Sequence, residues 1–120
     1  MKKVLIVDDS NTNNFLLQSI LDAEGISTMV AFDGKQAMDI LKIEKPSLIL
    51  LDIMMPELDG FIVLEKVKNN PKTKDIPVVF ITARNEEDLM EKAISAGADN
   101  MIQKPIDIEK VVKLVKSKLN

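Results

Sequence analysis

Leu48-Ile49-Leu50-Leu51-Asp52 decides the fold, because an unbroken aliphatic run ends there on a carboxylate. Val4-Leu5-Ile6-Val7-Asp8-Asp9 repeats the design near the start of the chain. A strand with one wet face alternates apolar and polar residues, whereas a strand buried on both faces reads as a continuous apolar run, as in a parallel sheet covered by helices. Outward from these two runs, strand-like segments are read at Lys3–Val7, Ser27–Ala31, Ser47–Leu51, Ile76–Ile81 and Asn100–Gln103. Helical spacing lies between them, as in Leu17, Ile20 and Leu21 before Gly25, and in Ile108, Val111, Val112, Val115 and Leu119 at the end. Gly25 and Gly97 read as helix-closing residues, and Asn69-Asn70-Pro71-Lys72 as a polar loop before the fourth strand. The pattern is (βα)5, an α/β fold in one domain over residues 1–120.

Composition narrows the chemistry. The 120 residues contain 46% hydrophobic but only 3% aromatic side chains, so the core is expected to be aliphatic and methionine-rich. Cysteine is absent, which removes disulfides and thiolate chemistry, and no leading apolar run has signal or membrane-spanning length. A cytoplasmic location is the expectation. With Met1 at one end and a helix reaching Asn120 at the other, an independent unit is expected over an excised domain. Histidine is also absent, which excludes histidine triads and histidine metal sites. A net charge of −3 argues against direct binding of nucleic acid.

In an open parallel α/β sheet, ligands bind beyond the carboxyl ends of the strands. The first run ends in Asp8-Asp9, the third in Asp52, the fourth in Thr82 and the fifth in Lys104-Pro105. Carboxylates from neighbouring strands repel one another unless a cation joins them, and Mg²⁺ uses one or two carboxylates, waters and a phosphate oxygen. Asp9 and Asp52 suit direct ligation, with Asp8 acting through water. Lysine supplies a point charge to a phosphoryl oxygen, and a threonine hydroxyl can donate to another. A carboxylate can itself be the nucleophile, in a transfer that depends on positioning and charge neutralisation. The competing reading is structural: Asp8, Asp9 or Thr82 taken singly is the usual sort of helix N-cap, and Lys104 alone a solvated lysine.

With these residues in hand, the sequence resembles the receiver domain of two-component response regulators, typified by the bacterial chemotaxis response regulator. The stretches that carry the resemblance are residues 4–10, 50–60, 77–83 and Ala96-Gly97-Ala98-Asp99 leading to Lys104-Pro105. The resemblance implies a flavodoxin-like, doubly wound sheet of five parallel strands in the order 2-1-3-4-5, flanked by five helices. It also implies Asp52 as phosphoryl acceptor, Asp8 and Asp9 as the acidic pair for Mg²⁺, and the main-chain carbonyl of Met54 as a further metal ligand. Thr82 and Lys104 would contact the phosphoryl group. A cis bond before Pro105 and a tight turn through Pro56 and Gly60 are further implications. The donor would be a histidine kinase or phosphotransfer protein, docking near the first helix, which is read as beginning near Asn13-Asn14-Phe15 and showing Asn11, Thr12, Asn14 and Gln18. Phe15 is read either as part of that docking surface or as core.

Two positions depart from the family pattern. Met101 replaces the usual aromatic switch residue of the fifth strand, and Ile106 stands where phenylalanine is frequent. Met54 and Arg84, each two residues beyond a site residue, are expected to flank the phosphoryl group and slow self-dephosphorylation. The alternative for both is a solvent-facing loop position. The output surface is expected on the fourth helix, fifth strand and fifth helix, through acidic Glu86, Glu87, Asp88 and Glu91 and basic Lys110, Lys113, Lys116 and Lys118. The protein would be a monomer or a phosphorylation-dependent dimer, with no membrane partner.

Rival classes fare worse. A haloacid dehalogenase-type enzyme uses a second aspartate two residues after the nucleophile, where this chain has Met54. A nucleotide switch needs a glycine-rich phosphate loop, and neither G-x-x-x-x-G-K nor G-x-G-x-x-G occurs among only four glycines. A pseudo-receiver would lack the acceptor aspartate or the lysine, and both are present.

Overall fold

The computed structural model describes residues 2–55 and 59–120. Pro56, assigned above to the turn after Asp52, lies outside the described residues. The elements run β1 (Lys3–Val7), α1 (Asn11–Ala23), β2 (Ser27–Ala31), α2 (Gly34–Ile43), β3 (Leu48–Asp52), α3 (Gly60–Lys68), β4 (Val78–Thr82), α4 (Leu89–Ser95), β5 (Asn100–Gln103) and α5 (Ile108–Leu119). The strands form one sheet in the order β2-β1-β3-β4-β5. Every pairing is parallel, with Val7 opposite Leu51, Asp52 opposite Ile81 and Thr82 opposite Gln103.

Period-two alternation splits the apolar strands between two core layers. Leu5, Val7, Ile49, Leu51, Val78 and Phe80 face one way, against Ala37 of α2, Val63 and Leu64 of α3, and Leu89 and Ala93 of α4. Val4, Ile6, Leu48, Leu50, Val79 and Ile81 face the other way, against Leu17 and Leu21 of α1 and Val111 and Val115 of α5. The sheet is thus apolar on both sides, which is why β1, β3 and β4 read as continuous runs. Met29, Met38 and Met101 pack against the first layer, with the unbranched thioether filling gaps that the scarce aromatics leave. Phe61 and Phe80 make the one ring pair among the described residues, with centroids 5.0 Å apart.

The helix ends follow from single side chains. Gly25 and Gly97 have φ of 74° and 110°, and each closes a Schellman motif. Ile26 donates to the carbonyl of Leu21, and Ala98 to that of Ala93, both at 3.0 Å. Helix α1 begins at Asn11, two residues before the predicted start, because Ser10 caps it by accepting from the Asn13 N–H. Helix α4 begins only at Leu89, so Glu86 and Glu87 precede it and Asp88 is its cap residue. Strand β3 is displaced by one residue, with Ser47 outside it, and β4 starts at Val78 because Ile76 is held in a turn by Thr73.

Candidate functional site

The carboxyl edge of the sheet gathers the residues singled out above. Asp8 follows β1, Asp52 ends β3, Thr82 ends β4 and Lys104 follows β5. The central β3 and β4 strands are buried along their length and β1 from Val4 to Val7, so this edge rests on the packed centre of the sheet. Asp8 and Asp52 are only 2% and 7% exposed, while Asp9 is exposed. Each of Asp8, Asp9 and Asp52 offers a carboxylate oxygen within 4.8 Å of the others, and they form the one such group among the described residues. Lys104 lies between two of them, its Nζ 3.6 Å from Asp8 Oδ2 and 3.5 Å from Asp52 Oδ2.

Backbone donors hold each carboxylate on its other oxygen. Asp8 Oδ1 accepts from the Ser10 N–H at 2.8 Å, and Asp52 Oδ1 accepts from the Met54 N–H at 3.0 Å. The Oδ2 atoms are left facing the lysine. Burial pushes the Asp52 carboxyl above its ordinary value, with the Asp8 charge adding to the rise; the Met54 N–H and Lys104 offset part of it. An oxygen-only donor set with a carboxylate that resists ionisation fits a hard divalent cation, which would restore the charge balance.

Thr82 is fully buried, its Oγ1 accepting from the Arg84 N–H at 3.0 Å and its carbonyl from the Lys104 N–H at 2.8 Å. That second bond draws the start of the Lys104 loop against β4. The bond between Lys104 and Pro105 is cis, as the resemblance implied. Gly60 is required by space: a Cβ there would lie 2.6 Å from the Asp52 carbonyl oxygen and 2.7 Å from the Ile53 Cα. Its N–H donates to the Ile53 carbonyl at 2.9 Å, which folds α3 back beneath the acceptor.

Capping does not account for these residues. Ser10 caps α1, and Thr82 binds the N–H two residues on in a turn far from the α4 cap. Phe15 is 72% exposed, which removes its reading as core. Asn14, read as surface, is instead 3% exposed, and its Nδ2 donates to the Asp8 carbonyl at 2.8 Å. The signal was present, because Asn14 stands three and seven residues before the buried Leu17 and Leu21 and so shares their face. Met54 is 57% exposed beside Asp52, whereas Met101 is half-buried in the core layer below β5. Arg84 turns its guanidinium to Glu86, with Nε 2.8 Å from Oε1, and this bond holds the Glu86 carboxyl below its ordinary value.

Known proteins are similar in both sequence and fold. The family model described as the response regulator receiver domain matches residues 4–116. A probable chemotaxis protein CheY of Rhizobium etli is 38% identical over 110 residues, covering 91% of this chain and 85% of that protein. Sporulation initiation phosphotransferase F of Bacillus subtilis is 36% identical over 118 residues, covering 98% and 94%. The response regulator PleD of Caulobacter vibrioides is 41% identical over 105 residues, but the chain spans only 23% of its length. Among solved structures, chemotaxis protein CheY4 of Vibrio cholerae superposes with a TM-score of 0.92 at 26% identity, covering 99% of each chain. The receiver domain of a signal transduction histidine kinase from Syntrophus aciditrophicus gives 0.91 at 32% identity, covering 99% and 90%. Among the described residues, no helix is long and apolar enough to cross a membrane. The acidic cluster at a parallel-sheet edge, the lysine between its carboxylates and the matched 4–116 segment agree: the chain belongs to the response regulator receiver domain family of two-component signal transduction.

Proposed function

We propose that this protein, acting as one domain over residues 1–120, accepts a phosphoryl group on Asp52 from a phosphohistidine donor in a Mg²⁺-dependent reaction. The observation that carries the reading is the lysine placed 3.5 Å from Asp52 Oδ2 and 3.6 Å from Asp8 Oδ2, on the oxygens opposite those that accept from the Met54 and Ser10 N–H groups. Asp52 Oδ2 attacks phosphorus as the bond to the donor nitrogen breaks, and the Met54 N–H keeps Oδ1 turned away. Lys104 then neutralises one phosphoryl oxygen, and the Thr82 hydroxyl rotates to donate to another while still accepting from Arg84. Asp8, Asp9 and Asp52, whose carboxylates come together at this edge, would hold the cation, with the Met54 carbonyl as the further ligand that the family resemblance implies; the cation would supply positive charge against the phosphoryl oxygens.

The reaction is self-directed, so the protein acts as a switch rather than as an enzyme on other substrates. Hydrolysis of the aspartyl phosphate ends the signal. Met54 and Arg84 flank the route of the attacking water and give a long-lived phosphoryl group, so Met54→Asn and Arg84→Ala each shorten its half-life. An unchanged half-life in both variants sinks that part of the reading. Output runs through α4, β5 and α5, where a groove of about 520 Å³ lies between β5 and α5, lined by Met101, Gln103, Lys110, Lys113 and Leu114 among others. A downstream protein, or a second phosphorylated copy, is the occupant; neither nucleic acid nor membrane is a direct partner. A cytoplasmic location follows from this role.

The test is incubation with phosphoramidate or acetyl phosphate in Mg²⁺, followed by intact mass. One phosphoryl is gained in Mg²⁺ and none after chelation. No gain with several donors favours a pseudo-receiver that works only as an interaction module.

A further inference from the structure

Asp8 sits on a turn whose hydrogen bonds meet at one buried amide. The Asp8 N–H donates to the Ala31 carbonyl at 3.1 Å, its Oδ1 accepts from Ser10, and its carbonyl accepts from Asn14 Nδ2 at 2.8 Å. Among the described residues this leaves Oδ2, the oxygen that faces Lys104. The Asn14 N–H also donates to the Ser10 carbonyl at 3.0 Å, so Asn14 closes the turn from both its side chain and its backbone.

Packing does not explain asparagine at this position. Asn14 Oδ1 is buried and has no hydrogen-bond partner among the described residues. A buried acceptor without a partner lowers stability, whereas a leucine of similar shape would continue the apolar face of Leu17 and Leu21. What leucine could not do is donate to the Asp8 carbonyl. The amide orientation is fixed by the same contact, since the opposite rotamer would set oxygen against oxygen.

We infer that Asn14 is a positioning residue for the acidic pair: by holding the Asp8 carbonyl it keeps the Asp8 and Asp9 carboxylates at cation-binding spacing from Asp52. This rests on the phosphoacceptor reading above. Hydrogen bonds that orient ligating carboxylates typically change metal affinity by about 10–100-fold when removed.

Asn14→Leu removes the donation while keeping the branching and the number of side-chain heavy atoms, and Asn14→Asp keeps the shape but sets an acceptor against the Asp8 carbonyl. Ile20→Val, on the same helix and buried away from the turn, controls for loss of stability. Mg²⁺ affinity is read directly from amide NMR shifts on titration, and phosphoramidate labelling is followed across Mg²⁺ concentration. For both Asn14 variants the Mg²⁺ dissociation constant and the half-saturating Mg²⁺ concentration rise about tenfold, while the labelling rate at saturating Mg²⁺ stays within roughly threefold of wild type. Ile20→Val moves neither. If one Asn14 variant fails to fold, the other carries the comparison. Unchanged Mg²⁺ affinity in a folded Asn14 variant, or an equal shift in Ile20→Val, overturns the inference and leaves the phosphoacceptor reading standing. A wild type that binds no Mg²⁺ and takes no phosphoryl overturns both.

Discussion

At the scale of single residues, Asp52 is held in a state the isolated fold does not favour. Its carboxyl is pushed up by burial and by Asp8, so in the absence of a divalent cation the native state binds that proton more tightly than the unfolded chain does. The sign follows: stability declines as pH rises from the ordinary carboxylate range through the raised native value, and the ionised group weakens the fold at pH 7. Asp52→Asn is therefore expected to be more stable than wild type at pH 7 without Mg²⁺, seen as a higher Tm. Below about pH 4, where both states are protonated, the difference closes. Thermal unfolding across pH checks this, and a variant less stable than wild type at pH 7 contradicts it. Saturating Mg²⁺ raises the Tm of wild type, because the cation binds only the folded arrangement. Legibility at this scale was uneven. Asp8, Asp52, Thr82 and Lys104 could be found because strand ends in a parallel sheet share an edge. The role of Asn14 could not, because it depends on which carbonyl a buried amide meets.

At the scale of elements, the strands were legible and the helix starts were not. Continuous aliphatic runs have one physical explanation, burial on both faces, and the two core layers bear it out. Helix starts depend on whether one side chain bonds an N–H two or three residues on, as Ser10 does for α1. Gly60 joins element to site, for it lets α3 begin against the backbone of the acceptor strand. Gly60→Ala forces a Cβ to within 2.6 Å of a main-chain oxygen, which cannot move aside as a side chain can. The expected cost is roughly 1–3 kcal/mol, measured by denaturant unfolding, together with slower phosphoryl uptake as the Asp52 loop shifts. A variant as stable and as reactive as wild type would show that the turn has room the structure denies it.

At the scale of the whole molecule, the site sits where the rigid sheet ends and two surfaces begin. Phe15 projects from α1 with 72% of its surface exposed, close in sequence to the Ser10 cap. Phe15→Ala should change stability by less than about 0.5 kcal/mol, as exposed positions do. It should leave labelling by acetyl phosphate intact while slowing transfer from a phosphohistidine protein, and equal slowing with both donors would place the defect in the chemistry rather than in docking. On the other side, two of the lysines on α5 are engaged within the fold, Lys116 to Glu24 and Lys118 to Asp99, while Lys110 and Lys113 stay exposed beside the β5 groove. The acidic face expected on α4 is smaller than the sequence suggested, because Glu86 and Glu87 belong to the loop before it and Glu86 is paired with Arg84. The central claim remains that Asp52 takes a phosphoryl group. Its most direct test compares wild type with Asp52→Asn by intact mass after incubation with phosphoramidate and Mg²⁺. A gain of one phosphoryl in wild type and none in the variant is predicted; equal labelling of the two, or none in wild type, would contradict it.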